Sequence, residues 1–227
     1  MNITITRGLL SLTACAAAVG FAQDNDPARV YRIGNGVTAP RLIRKVEPQY
    51  SEEARKARLA GAVGLRVVIG SDGKARDFRV VRSLGLGLDE SSITAVGAWE
   101  FEPGLKQGQP VNVEANIEVN FGLLDKSPNL QWHITRAEFH LSDGSKRPSI
   151  QNVTDPYFAG GPPGAIATVT FYVDERGQPG NILIEKSSDD GWGRAVTAAI
   201  QEWKFNPGSQ NGSPVSVSCT MDFVRGN

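Results

Sequence analysis

The chain contains itself twice. Displaced by 104 residues, Trp99-Glu100-Phe101-Glu102-Pro103-Gly104 falls on Trp203-Lys204-Phe205-Asn206-Pro207-Gly208 with no gap on either side. The same register carries Gly73 to Gly177, Ser83 to Ser187, Gly87 to Gly191, Ala95 to Ala199 and Gly108 to Gly212. Pro110-Val111 falls on Pro214-Val215 and Val113 on Val217, so 12 of the 53 positions from Gly61 to Val113 are identical. A period of about 100 residues is a duplicated domain, because solenoid repeats recur every ~20 to 50 residues. The chain must therefore use twice a unit that closes its own small core.

The pattern within the unit is α+β. Val63, Leu65, Val67 and Ile69 alternate with smaller or polar residues, and Ser71-Asp72-Gly73-Lys74 is a hairpin turn into a return strand through Phe78 and Val80. The second copy spells the same hairpin with Val169, Phe171 and Val173, Glu175-Arg176-Gly177-Gln178, then Ile182 and Ile184. Asp89 is expected to cap a helix whose stripe is Ser92, Ala95, Val96 and Trp99, matched by Val196, Ala199, Ile200 and Trp203. The last strand alternates over eleven residues, Val111 to Phe121, with Asn112, Glu114, Asn116, Glu118 and Asn120 on the wet face. Its counterpart puts Cys219 on the core face, where a thiol is packing.

Upstream, Leu42 to Val46 reads as a short strand and Ser51 as the N-cap of a short helix over Tyr50, Ala54 and Ala57, ended by Gly61. The second copy has Asp155-Pro156-Tyr157-Phe158-Ala159-Gly160-Gly161-Pro162-Pro163-Gly164 there, which forms no useful helix, so the copies are expected to differ where they begin. An extra strand is expected over Gln131 to Leu141. The fold expected is two tandem modules, each a three-stranded antiparallel sheet with one or two helices packed on one face.

Arg7, the uncharged run Gly8 to Val19 and the small residues of Gly20-Phe21-Ala22 have the form of a secretory signal cleaved after Ala22. Two other fates stay open. Leu12-Thr13-Ala14-Cys15 resembles a lipoprotein acylation box, which would tether the chain through Cys15. The 16 uncharged residues from Gly8 to Gln23 could instead be retained as an anchor, although a spanning helix needs roughly 20. The expected organisation is a signal over 1–22, a flexible lead-in over 23–40, a first domain over 41–122, a linker over 123–130 and a divergent second domain over 131–227. The expected location is the periplasm.

Chemistry is hard to place on these residues. The 24 Lys and Arg balance the 24 Asp and Glu, so the chain as a whole does not favour nucleic acid phosphates; the local excess of Arg41, Arg44, Lys45, Arg55, Lys56 and Arg58 reads as a solvated helix face with its approach strand, the alternative being a basic docking patch. His133 and His140 are seven apart on one strand and point to opposite faces, so they cannot share a metal. Asp189-Asp190 is a loop pair whose counterpart is Gly85-Leu86, and neither a serine elbow nor a phosphate loop occurs. No enzyme, metal site, cofactor or small-molecule substrate is expected.

Pro48-Gln49-Tyr50-Ser51-Glu52-Glu53-Ala54-Arg55, Gly61-Ala62-Val63, the Asp72-Gly73 turn, Ser83 to Leu88, Trp99 to Gly104 and Pro110-Val111 together resemble the C-terminal domain of the TonB family. Ala165 to Phe223 resembles a divergent member. In that family an extended segment of an outer-membrane receptor adds as a strand beside the last strand of the domain, and transducers couple to an inner-membrane motor. The resemblance implies an envelope protein that binds a receptor-like partner through Val111, Asn112, Val113, Glu114, Asn116, Glu118 and Asn120, flanked by Glu47, Pro48, Gln49 and Tyr50. It depends on an open edge after each Trp-x-Phe-x-Pro-Gly corner. The chain departs from the family in having Ser51 where a proline usually follows the tyrosine, and in having only Pro27 and Pro40 as a spacer. The alternative is a scaffolding module of the envelope, whose edges pair with a second copy or contact cell wall glycan.

Overall fold

The computed structural model describes residues 28–122 and 131–226. The expected signal (1–22), part of the lead-in and the expected linker (123–130) lie outside the described residues. The first copy comprises β1 (Val30–Arg32), β2 (Arg41–Arg44), α1 (Glu52–Lys56), β3 (Gly61–Ile69), β4 (Ala75–Arg82), α2 (Leu88–Gly97), β5 (Glu100–Glu102), β6 (Gly104–Lys106) and β7 (Gln109–Phe121). The second comprises β8 (Trp132–His140), β9 (Ser145–Lys146), β10 (Ser149–Asn152), β11 (Ile166–Val173), β12 (Pro179–Ser187), α3 (Asp190–Glu202), β13 (Lys204–Asn206), β14 (Gly208–Gln210), β15 (Ser213–Val215) and β16 (Val217–Arg225).

The fold is α+β, and the three antiparallel strands of each module are β4-β3-β7 and β12-β11-β16. Alternation places them. Val63, Leu65, Val67 and Ile69 are fully buried on β3, as Val169, Phe171 and Val173 are on β11. The helical stripe meets these faces through Val96 and Trp99 in one copy and Val196, Ile200 and Trp203 in the other. Ser92 is buried within the stripe because its hydroxyl donates to the Leu88 carbonyl at 2.7 Å. Cys219 is fully buried on the core face of β16, where burial pushes its thiol pKa up.

Asp89 is not the N-cap of α2. The cap is two residues earlier, at Gly87 with φ 82°, and the helix begins at Leu88. The Asp89 carboxylate turns back and accepts from the amides of Leu84 (3.0 Å) and Gly85 (3.3 Å), loop donors that would otherwise lack a partner. In the second copy the capping residue is Asp189, whose carboxylate accepts from the Trp192 amide at 2.8 Å, and Asp190 opens α3. The acidic pair is a helix start.

The copies also agree further upstream than a displacement of 104 can show. β2 pairs with β5 through Arg41–Glu102 and Leu42–Phe101, with a bulge before Arg44. β10 pairs with β13 through Ser149–Asn206 and Ile150–Phe205, with a bulge before Asn152. The Trp99 indole donates to the Val46 carbonyl at 2.7 Å, and the Trp203 indole to the Thr154 carbonyl at 2.9 Å. Val46 and Thr154 are 108 residues apart, as are Pro48 and Pro156, and Tyr50 and Phe158. From β2 and β10 to that aromatic residue the modules therefore correspond, and they diverge just after it. There the first inserts α1, capped by Ser51 accepting from the Ala54 amide at 3.0 Å. The second crosses the same gap with four fewer residues, Ala159 to Gly164 against Ser51 to Ala60.

The modules share one hydrophobic core. Ile134 of β8 donates to the Arg58 carbonyl (3.2 Å) and accepts from the Ala60 amide (2.8 Å), while the Ala137 amide donates to the Leu84 carbonyl (2.9 Å). The Arg58 guanidinium lies 4.9 Å from the Trp132 ring centre and 3.0 Å from the Asp155 carboxylate, and Arg147 meets Glu53 at 2.5 Å.

Candidate functional site

β7 is the longest strand of the first module because its inward residues Val113, Val119 and Phe121 are buried while Asn116, Glu118 and Asn120 are exposed. On one side β3 pairs with it from Gly61–Phe121 to Ile69–Val113. Glu118 is drawn across the sheet face, since Gly64 of β3 has no side chain to intervene and Arg82 of β4 reaches its carboxylate at 3.0 Å.

The other side of β7 is closed at one end. β1 pairs with it in parallel, Val30 opposite Asn112, Tyr31 opposite Val113 and Arg32 opposite Glu114. For Val30 to Arg32 this corrects the reading of a flexible lead-in, and for Asn112 to Glu114 that of an open edge; Val111 is paired with Gly104 of β6. Arg32 lies 3.6 Å from the Glu114 carboxylate, the Lys106 ammonium lies 4.3 Å from the Tyr31 ring centre, and the Asn112 side-chain amide donates to the Arg29 carbonyl at 3.5 Å. From Ala115 to Phe121, no described strand lies on this side of β7.

The second module has no such opening. β8 covers β16 antiparallel from Arg225–Trp132 to Ser218–His140, so the expectation of an open edge after each corner fails here. The reason is burial. Trp132 and Ile134 are fully buried, and nine residues with such anchors close the edge permanently.

Of the flanking residues, Tyr50 reaches β7 directly, its ring edge-on to Phe121 at 5.6 Å, and its hydroxyl donates to the Leu59 carbonyl. Glu47 and Gln49 line a groove of about 450 Å³ with Ser91 and Thr94 of α2, away from the strand edge. Pro48 is half-buried between them. Two further edges went unread in the sequence. β4 exposes Val80 and Val81, and β12 exposes Leu183 and Ile184. Both strands join their neighbours through register shifts, which make an edge irregular and a poor template.

His133 lies partly buried with its pKa lowered by that burial, and His140 contacts the Thr220 hydroxyl at 3.3 Å. Among the described residues no His, Cys, Asp and Glu cluster could hold a metal ion, and no helix is long and apolar enough to cross a membrane.

Comparison with known proteins finds relatives of both halves of the chain. The family model described as Gram-negative bacterial TonB protein C-terminal matches residues 46–123 and again 165–224. Protein TonB of Vibrio cholerae serotype O1 is 28% identical over 109 residues, which cover 44% of this chain and 45% of that protein. The chain thus spans less than half the length of that relative. The solution NMR structure of the Pseudomonas aeruginosa TonB C-terminal domain shares 22% identity at a TM-score of 0.30, covering 40% of this chain and 93% of that one.

Proposed function

The chain belongs to the family of Gram-negative TonB C-terminal domains, and from that premise we propose that it is a non-catalytic envelope protein whose first module takes an extended partner segment along β7. The family suggests an outer-membrane receptor as the source of that segment, and a periplasmic site of action for the chain. The observation that carries the reading is the asymmetry of β7: β3 pairs with one side of it from Val113 to Phe121, while Ala115 to Phe121 have no strand on the other side among the described residues. Unpaired backbone of that length supplies main-chain affinity, and Asn116, Glu118 and Asn120 tune what docks. The second module, sealed by β8, then serves as a fixed support for the first.

Photo-crosslinking residues placed at Asn116 and at Asn120 test this in cells. The expected result is a crosslink to an extended segment of an outer-membrane protein, abolished for the Asn120 probe by Asn116→Pro and for both probes by an edge-blocking peptide, with none from the same probe at Leu183. Crosslinks from Leu183 alone would replace the reading with one in which β12 is the docking edge. The exposed Leu183 and Ile184 favour self-association as the second reading, and a concentration-dependent mass by light scattering, lost on Leu183→Lys, would support it.

A further inference from the structure

The partner's place on β7 is already partly taken by the chain itself. We propose that β1 is a displaceable stand-in for the partner segment, gating the edge and displaying what the edge accepts: a parallel strand with an aromatic residue over Lys106 followed by a basic residue at Glu114. The inference rests on the strand-docking reading of β7 and adds its regulation.

Three observations point to displacement. First, β1 lies inside the docking stretch, opposite Asn112, Val113 and Glu114. Second, its hold is shallow. It makes three pairs, Val30 is 45% and the following Ile33 54% exposed, and the Arg32 side chain is 89% exposed, so its ion pair to Glu114 is screened by solvent. Third, the same position in the second module is filled by β8, whose nine residues include the fully buried Trp132 and Ile134. One edge is closed with fully buried core anchors and the other with a single half-buried side chain, Tyr31, between two exposed ones. The bare stretch Ala115 to Phe121 adjoins β1 in line, so an incoming strand can pair there first and extend into the positions β1 vacates.

β1 also defines a ligand chemistry. Lys106, which stays on the edge when β1 leaves, lies 4.3 Å from the Tyr31 ring centre, a cationic seat for one aromatic face. Glu114 then favours a cation at the next position. An acidic segment would meet Glu114 with like charge and be disfavoured.

The test uses the peptide Ala-Arg-Val-Tyr-Arg-Ile-Gly-Asn, the chain's own 28–35, titrated to millimolar concentration and followed by amide chemical shifts. The proteins are the full chain, Tyr31→Pro, and the double variant Tyr31→Ser/Arg32→Glu. Because β1 contributes nothing to the core, tryptophan fluorescence should show all three folded. Tyr31→Pro and the double variant are expected to bind the peptide about tenfold more tightly than the full chain, since an edge occupied nine parts in ten weakens apparent affinity by that factor. Shifts are expected at Asn112 to Phe121, and replacing the peptide's tyrosine by serine should weaken binding. Equal binding to all three proteins, with shifts at Asn112 to Phe121, would overturn the gate while leaving strand docking intact. Binding to none of them would overturn both.

Discussion

The Trp99 indole donates to the carbonyl of Val46, 53 residues earlier, at 2.7 Å, and ties the segment carrying Pro48 and Tyr50 across α2. The second module repeats the bond between Trp203 and Thr154. Replacing either tryptophan by phenylalanine keeps most of the apolar contact and leaves a half-buried carbonyl short of its donor. Each variant should lose about 2 kcal/mol, combining the lost bond with a small void. Urea denaturation of Trp99→Phe and Trp203→Phe measures it, and similar losses would show that the bond does the same job in both copies.

That bond also shows where the repeat was legible and where it was not. Gly73, Trp99 and Gly104 recur as letters because their side chains, or lack of them, meet neighbours directly. Val46 and Thr154 contribute only a carbonyl, which any residue has, so selection leaves no identity there. Loss of α1 from the second copy moves the register from 104 to 108, so a single displacement stops at Gly61. The strands and their buried faces followed from alternation. Closure of the β7 edge did not, because Val30 to Arg32 are only three residues, with just Tyr31 half-buried, and pair with a strand about 80 residues away.

Gly73 and Gly177 sit at positive φ, 74° and 76°, and each approaches the carbonyl of the corner phenylalanine, Phe101 or Phe205, so closely that an added Cβ would overlap it. The same carbonyl-rich contact includes the Phe101 amide donating to the Gly73 carbonyl at 3.0 Å. Gly73→Ala must therefore bear both the left-handed strain and a clash with backbone, and should cost about 3 kcal/mol. Gly108→Ala has only the strain, since φ is 79° and nothing lies within 4 Å of its Cβ. Its cost should be about 1 kcal/mol. Equal costs in thermal unfolding would show that the close approach is unimportant.

Glu100 bridges Arg44 at 2.9 Å and Lys74 at 3.2 Å, and hydrogen bonding from Arg44, then Lys74, holds its carboxyl down at about 2. A carboxyl pKa lower in the folded than in the unfolded chain stabilises above the unfolded value, and the gain is lost as pH falls toward 2. Glu100→Gln should thus lower Tm slightly at pH 7, and the difference from the parent should shrink steadily below about pH 4.5. High salt should shrink it too, because the groups are exposed. A difference that does not change with pH would assign the effect to the amide itself. In the second module the same positions hold Gln178 and Lys204, in contact at 2.5 Å, so Lys204→Met should show no matching dependence at low pH.

The two modules are joined through backbone as well as side chains, and this governs how the chain unfolds. Leu59 is fully buried beside Ile134, and the flanking amide bonds run Ile134 to Arg58 and Ala60 to Ile134. Gly85 lies so close to the Ala137 carbonyl that an added Cβ would overlap it. With a shared core and a hydrogen-bonded seam, the parent should unfold in a single calorimetric transition, its calorimetric and van't Hoff enthalpies agreeing. Leu59→Ala removes a buried side chain at the seam and should cost about 3 kcal/mol. Because that loss falls on the junction rather than inside either sheet, it should separate the melt into two transitions, as should Gly85→Ala. Val67→Ala, buried within the first module alone, serves as the comparison: it should lower the Tm without splitting the transition. A parent that already melts in two steps would mean that the modules fold independently, and β8 would then be a strand of the second module that merely rests against the first.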